Sequence, residues 1–239
     1  MAAAEPAASG VAPSAASEGG GLAPPTYATQ PPPAARLRFE MRRGGLRGSA
    51  ELVWQPAAEG YEATLEATAF ALPVISWTSQ GRFDAAGLAP ERFLDKRLRR
   101  SPQAAHFRRD QGRITFSGPS VEYPLVAGAQ DRLSWMLQLA AIVAADPLRQ
   151  AAAGGRITMF VVGARGDADL WTFETGERES LDLPAGPVAG ALHLRRQPRK
   201  PYDTEVDVWL DPQRHWLPVK LRLAIPTSGD SSEFLLDRP

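Results

Sequence analysis

Apolar and polar residues alternate one by one along most of the chain. Leu37, Phe39 and Met41 share one parity, and Arg36, Arg38 and Glu40 the other. Leu46, Ala50, Leu52 and Trp54 oppose Arg47, Ser49, Glu51 and Gln55. Tyr61, Ala63, Leu65, Ala67 and Ala69 oppose Glu62, Thr64 and Glu66, and Ile75, Trp77, Ser79, Gly81 and Phe83 oppose Ser76, Thr78, Gln80 and Arg82. Successive side chains of a strand point to opposite faces, so each run predicts a strand with one covered and one wet face. The pattern resumes over 88–99, 104–110, 112–118, 155–164, 168–175, 177–183, 187–196, 203–211, 215–225 and 231–236.

Turn signals separate the runs: Gly44-Gly45, Glu59-Gly60, Asp110-Gln111-Gly112, Gly166-Asp167, Thr175-Gly176, Pro184-Ala185-Gly186 and Asp211-Pro212. Gaps this short join antiparallel neighbours, because a parallel crossover needs a dozen or more residues. The fold class is therefore mainly β: one large curved antiparallel sheet, as a half-open barrel or clam, a closed barrel or a sandwich. Frequent Ala and Gly on the covered parity (Ala50, Ala63, Ala67, Gly81, Gly190) suit a bending concave face, and equally a tight sandwich.

Residues 131–146 break the alternation. Between Leu133 and Ala145 only Ser134 and Gln138 are polar, and four residues apart they make one narrow stripe. A helix apolar on its other sides has to be buried on nearly all sides. Asp131 suits its N-terminal end and Pro147 stops it. Laid in the concavity of the sheet, it either plugs a core or leaves an apolar pocket beside it.

Composition changes at the N-terminus. Residues 1–35 hold 12 Ala, 7 Pro and 4 Gly with only Glu5 and Glu18 charged, which predicts a disordered tail or spacer ahead of a single β-rich domain over 36–239. The start lacks the basic and apolar stretches of a secretory signal. No run approaches the roughly 18 apolar residues of a transmembrane helix. The domain carries 27 basic against 25 acidic side chains, too even for a general nucleic-acid binder.

Candidate chemistry is thin. The chain has no Cys, which removes disulfides and thiolate chemistry and is compatible with either redox compartment. His106, His193 and His215 fall on three separate strands without ligand spacing, so no metal and no cofactor is expected. Carboxylates such as Glu179, Asp182, Asp203, Glu205 and Asp207 read as solvated strand faces. No nucleophile elbow or phosphate loop occurs, and the expected protein is not an enzyme. One basic cluster stands out. From Arg92 to Arg113 eight bases meet only Asp95 and Asp110. It suggests a patch of Arg97, Arg99, Arg100, Arg108 and Arg109 for an anionic surface or acidic partner. Six Trp are generous for this length. Trp77, Trp135, Met136, Leu139, Val143, Trp171 and Phe173 are the candidate lining of an apolar ligand groove.

Several stretches together resemble a bacterial family, domain of unknown function 3108. They are LAPERFLDKR at 88–97, Ala105-His106-Phe107 followed by GRITFSG, GAQDRLSWMLQLAA at 128–141, DLWTF at 169–173, DLPAG at 182–186 and VWLDPQRHWLPVKLRL at 208–223. The resemblance covers roughly 35–237 and implies an envelope protein of Gram-negative bacteria, periplasmic or envelope-associated. Its implied fold is similar to the lipoprotein-localisation carriers, whose curved sheet cups a helical lid. The family commonly has a leader that this sequence does not show: either it was trimmed, or the start is misplaced, or this member is cytosolic. The leading expectation is a non-enzymatic envelope protein holding a lipid or other amphiphile. The alternative is an interaction module with a filled core that meets an envelope protein partner through the basic patch or a sheet edge.

Overall fold

The structure, a computed structural model, describes residues 23–200 and 203–238. Alternation becomes strands in the first half: β1 (Ala35–Arg43), β2 (Leu46–Ala57), β3 (Gly60–Ala69), β4 (Leu72–Asp84), β5 (Gly87–Arg97), β6 (Arg100–Arg108), β7 (Arg113–Phe116) and the short β8 (Tyr123–Pro124) and β9 (Gln130–Asp131). Helices α1 (Ser134–Ala145) and α2 (Pro147–Gln150) follow. The second half is β10 (Arg156–Val162), β11 (Ala168–Leu183), β12 (Gly186–Arg196), β13 (Glu205–Asp211), β14 (Leu217–Ile225) and β15 (Asp230–Arg238).

All fifteen strands belong to one sheet, in the order β8 to β1, then β15 down to β9. Two meanders are joined where β1 pairs with β15, Met41 opposite Phe234. Every pairing is antiparallel except the short β9–β10 contact. A sheet this wide curls under its own twist. Its two ends approach through side chains: the Tyr123 ring lies 6.0 Å from that of Phe160, and its hydroxyl donates to the Gly166 carbonyl at 2.9 Å.

The concave face is the predicted apolar parity: Leu37, Phe39, Ala50, Leu52, Trp54 and Ala63 are buried. Helix α1 lies inside, with ten of its twelve residues buried. Burying each Leu or Ile fully stabilises the fold by about 1.5–3 kcal/mol, so the helix and the concave face hold each other. The polar stripe fixes its position. Gln138 donates to the Ala86 carbonyl at 2.6 Å and accepts from the Leu88 amide at 2.9 Å. Gly87 between them sits at φ +100°, and a Cβ there would meet the Gln138 amide at 2.5 Å.

Four expectations need correction. The runs 168–175 and 177–183 form one strand, β11, because Thr175-Gly176 makes a register shift in the ladder rather than a turn. The run from 215 starts at Leu217, since His215 and Trp216 adopt φ of 53° and 61° and cannot be extended. The helix spans 134–145, while Asp131 lies in β9 and caps it from outside. Residues 23–34 run as an ordered strap rather than a free spacer. Trp54 donates to the Pro32 carbonyl at 2.9 Å, Gln30 N–H donates to the Ala141 carbonyl at 2.9 Å, and the Tyr27 hydroxyl accepts from the Thr158 amide at 2.8 Å. The expectation for residues 1–22 lies outside the described residues.

Candidate functional site

The helix fills only one end of the curled sheet. Its C-terminal end meets the strap and the His215-Trp216 turn, around an open cleft of about 430 Å³. The opposite end is that of the β1–β2, β3–β4 and β5–β6 hairpin turns. There the concave face encloses a cavity of about 780 Å³. That volume is in the range of pockets that take small organic ligands.

Strand parity makes the walls apolar. Phe39 and Met41 come from β1, Leu65 and Ala67 from β3, Ile75 and Trp77 from β4, and Leu221 and Leu223 from β14. The first turn of α1 contributes Trp135 and Met136. Trp135 is held by stacking on Phe173 at 5.0 Å and 16°, with the Trp171 ring 5.7 Å from it and 6.1 Å from Phe173. Both readings of the helix are thus realised: it plugs one half of the interior and leaves an apolar pocket in the other.

Arginines gather around this cavity. Arg43, Arg97, Arg100, Arg132 and Arg165 all reach it, against two carboxylates, Asp95 and Asp167. Asp95 is almost fully buried; it accepts from Trp77 Nε1 at 3.0 Å and from Arg97 Nε at 2.9 Å, and Arg165 Nε lies 3.4 Å away. Arg132 pairs with Asp167 at 2.5 Å and lies 4.6 Å above the Trp171 ring. Arg100 has no carboxylate within pairing distance among the described residues. On Arg165, Nε and Nη2 are buried without a hydrogen-bond acceptor. Buried donors in this state favour an incoming anion or polar head that accepts from them.

Of the groove candidates, Trp77, Trp135, Met136 and Trp171 line the cavity. Leu139, Val143 and Phe173 do not: all three are fully buried in packed core, where the helix meets the sheet. The basic patch divides. Register places Arg97 opposite Arg100 at one end of the β5–β6 hairpin, and Arg108 opposite Arg113 at the other. Eight residues of strand separate the ends, about 27 Å. Arg97 and Arg100 border the cavity and Arg99 occupies the adjoining turn, whereas Arg109 donates to the Pro90 carbonyl at 3.1 Å at the far end. Arg43, Arg132 and Arg165 carry no common signal in the sequence, since Arg43 ends β1, Arg132 follows β9 and Arg165 follows β10, and only the curl of the sheet collects them.

The three histidines lie apart, on β6, on β12 and after β13. His106 is lowered from its usual pKa by partial burial, then by Arg108 and Arg92. His193 is on the convex face, stacked on Trp209 at 4.5 Å, with Asp207 at 2.8 Å and Glu179 at 3.3 Å. Burial pushes the Asp207 carboxyl up, but the His193 hydrogen bond and charge, with Arg195 and Arg222, bring it below the usual range. The carboxylates Glu205 and Asp207 are covered rather than solvated, because Arg195 and Arg222 lie over them at 2.7–3.2 Å. This lattice ties β11–β14 together.

A wide antiparallel sheet curled about a buried helix, with an apolar cavity at one end, defines a β-barrel-like protein. The chain belongs to the family described as "Protein of unknown function (DUF3108)", which matches residues 38–234. Among solved structures it is similar to a crystal structure of a "Beta-barrel-like Protein of Domain of Unknown Function DUF1849" from Brucella abortus. That likeness has a TM-score of 0.53 at 15% identity, over 87% of this chain and 97% of that one, and shows the fold. No curated protein matches the chain. No helix among the described residues is long and apolar enough to cross a membrane.

Proposed function

We propose that the protein binds a lipid or related amphiphile, its apolar chain in the cavity and its head among the arginines. The observation that carries this reading is the cavity of about 780 Å³, walled by Trp77, Trp135, Met136, Leu65 and Leu223 and bordered by Arg97, Arg100, Arg132 and Arg165. Packed interiors seldom keep voids of this size, and an apolar one filled by water would forfeit the hydrophobic gain that folding makes elsewhere. An alkyl chain fits the walls, and an anionic head fits the Arg165 donors, which lie near Asp95 but have no hydrogen-bond acceptor.

On this reading the protein carries or presents its ligand and does not transform it, and its place is the cell envelope, where amphiphiles need shelter from water. The test is solvent extraction of the natively purified protein followed by mass spectrometry. An alkyl-chain amphiphile near one per protein is expected from the wild type, and much less from Ala67→Phe, which builds into the void. An empty extract, together with tryptophan fluorescence unmoved by added fatty acid or lysophospholipid, would overturn the proposal.

A further inference from the structure

Six large apolar side chains are notably exposed among the described residues: Leu46, Phe70, Leu72, Leu98, Val121 and Leu148. Four of them, Leu46, Phe70, Leu72 and Leu98, sit at three neighbouring hairpin turns on one end of the sheet. In each hairpin two residues connect the strands: Gly44-Gly45 after β1, Phe70-Ala71 after β3 and Leu98-Arg99 after β5. The strands order as β1-β2-β3-β4-β5-β6, so the turns stand in a row.

Two further features mark this row. Residues 42–47, 69–73 and 96–100 hold seven basic side chains (Arg42, Arg43, Arg47, Lys96, Arg97, Arg99, Arg100) and no acidic one; Arg42 and Arg47 pair with Glu40, Arg43 with Asp230 and Arg97 with Asp95, which leaves Lys96, Arg99 and Arg100 without a carboxylate partner among the described residues. The Phe70-Ala71 turn has both residues at positive φ, 51° and 59°. That conformation favours Asn-Gly, and a Phe adopts it only under strain. Phe70 stands 74% exposed at the tip, at the border of the cavity. Apolar tips among basic residues match a surface with anionic headgroups above hydrocarbon: the bases meet phosphate, and the Phe and Leu side chains enter the acyl boundary. Water solvates the basic side chains but gains nothing from the exposed Phe70 ring and the three Leu side chains beside it.

We infer that these three turns form a docking edge for an anionic lipid membrane. Phe70 and Leu98 insert, Leu46 and Leu72 flank them, and Lys96, Arg99 and Arg100 bind headgroups. The cavity opens within this edge, since Arg43, Leu46, Phe70, Leu98 and Arg100 border both. Docking would therefore set the cavity mouth against the bilayer. The inference stands on the turns and their charge, and does not depend on what the cavity holds.

Vesicle flotation of the purified chain tests it, with vesicles of phosphatidylcholine alone and with phosphatidylglycerol added. Wild type should float with the anionic vesicles, remain behind with the zwitterionic ones, and be released by salt. Phe70→Ser with Leu98→Ser should lower partitioning about tenfold or more, and Arg99→Glu with Arg100→Glu should abolish it. These positions are exposed, and circular dichroism checks that the variants fold. Ala67→Phe should float as wild type does, which separates this edge from the ligand site. A wild type that does not float, as a protein-docking surface would behave, overturns the inference; so does flotation unchanged by the Phe70 and Leu98 substitutions.

Discussion

Ser79 Oγ donates to Asp131 Oδ2 at 2.5 Å in the interior, joining the middle of β4 to the residue that caps α1. Asp131 Oδ1 accepts from the Leu133 and Ser134 amides at 2.8 and 2.7 Å, and the Tyr61 hydroxyl lies 3.2 Å from Ser79. Complete burial raises the Asp131 carboxyl to about 6, although hydrogen bonds from Ser79, Ser134 and Leu133 pull it partway back.

That shift fixes a pH dependence. The folded chain holds the Asp131 proton up to about pH 6, whereas the unfolded chain releases it near 3.8. Between those values the folded state binds more protons, so the favourable contribution, complete below the lower value, is lost as pH rises through the upper one. The loss is of the order of 3 kcal/mol by neutral pH. Urea unfolding from pH 4 to 7 should show stability falling through this window, and Asp131→Asn should flatten the fall. Equal slopes in wild type and variant would place the titration elsewhere.

Gln138 is the polar anchor of the buried helix. Gln138→Leu leaves the Ala86 carbonyl and the Leu88 amide without their partner, and each orphaned buried group costs about 1–3 kcal/mol. A stability loss of roughly 2–5 kcal/mol is expected by denaturant titration. A loss below about 1 kcal/mol would mean the helix is held by apolar packing alone.

The strained turn offers a gain. Ala71 sits at φ 59°, where Gly carries no penalty for its side chain. Ala71→Gly should stabilise the fold by about 0.5–1 kcal/mol, and Phe70→Asn with Ala71→Gly by about 1–2 kcal/mol while weakening membrane association. Thermal unfolding beside vesicle flotation measures both. Destabilisation by Ala71→Gly would contradict the left-handed geometry.

The arginines at the cavity set headgroup preference. A fatty acid should bind about tenfold tighter than the fatty alcohol of equal length, and Arg165→Met should remove most of that preference while leaving the alcohol's affinity nearly unchanged. Titration of intrinsic tryptophan fluorescence, with Trp77 and Trp135 in the wall, reads both ligands.

Parity made the sheet legible, because a covered face demands a two-residue period whatever lies above it. The helix was legible for a similar reason: Leu133 to Val143 have no wet side. Long-range register was not. Arg97 and Arg108 are close in sequence yet at opposite ends of one hairpin, while Arg43, Arg97, Arg132 and Arg165 meet only because the sheet curls. Leu139, Val143 and Phe173 share the apolar character of Trp135 and Met136. Depth along the interior, which composition does not encode, decides which of them touch packed core and which touch open space. The exposed Phe70 also broke a rule visible in the sequence, an aromatic where a tight hairpin turn favours Asn or Gly.

Photo-crosslinking with a diazirine-bearing fatty acid tests the central claim most directly, since the carbene marks whatever surrounds the chain. Peptide mapping should place the label within 65–77, 132–136 and 221–223, and Ala67→Phe should suppress it. Labelling confined to the convex strands or the hairpin turns, or unchanged in Ala67→Phe, would contradict a ligand held inside the sheet.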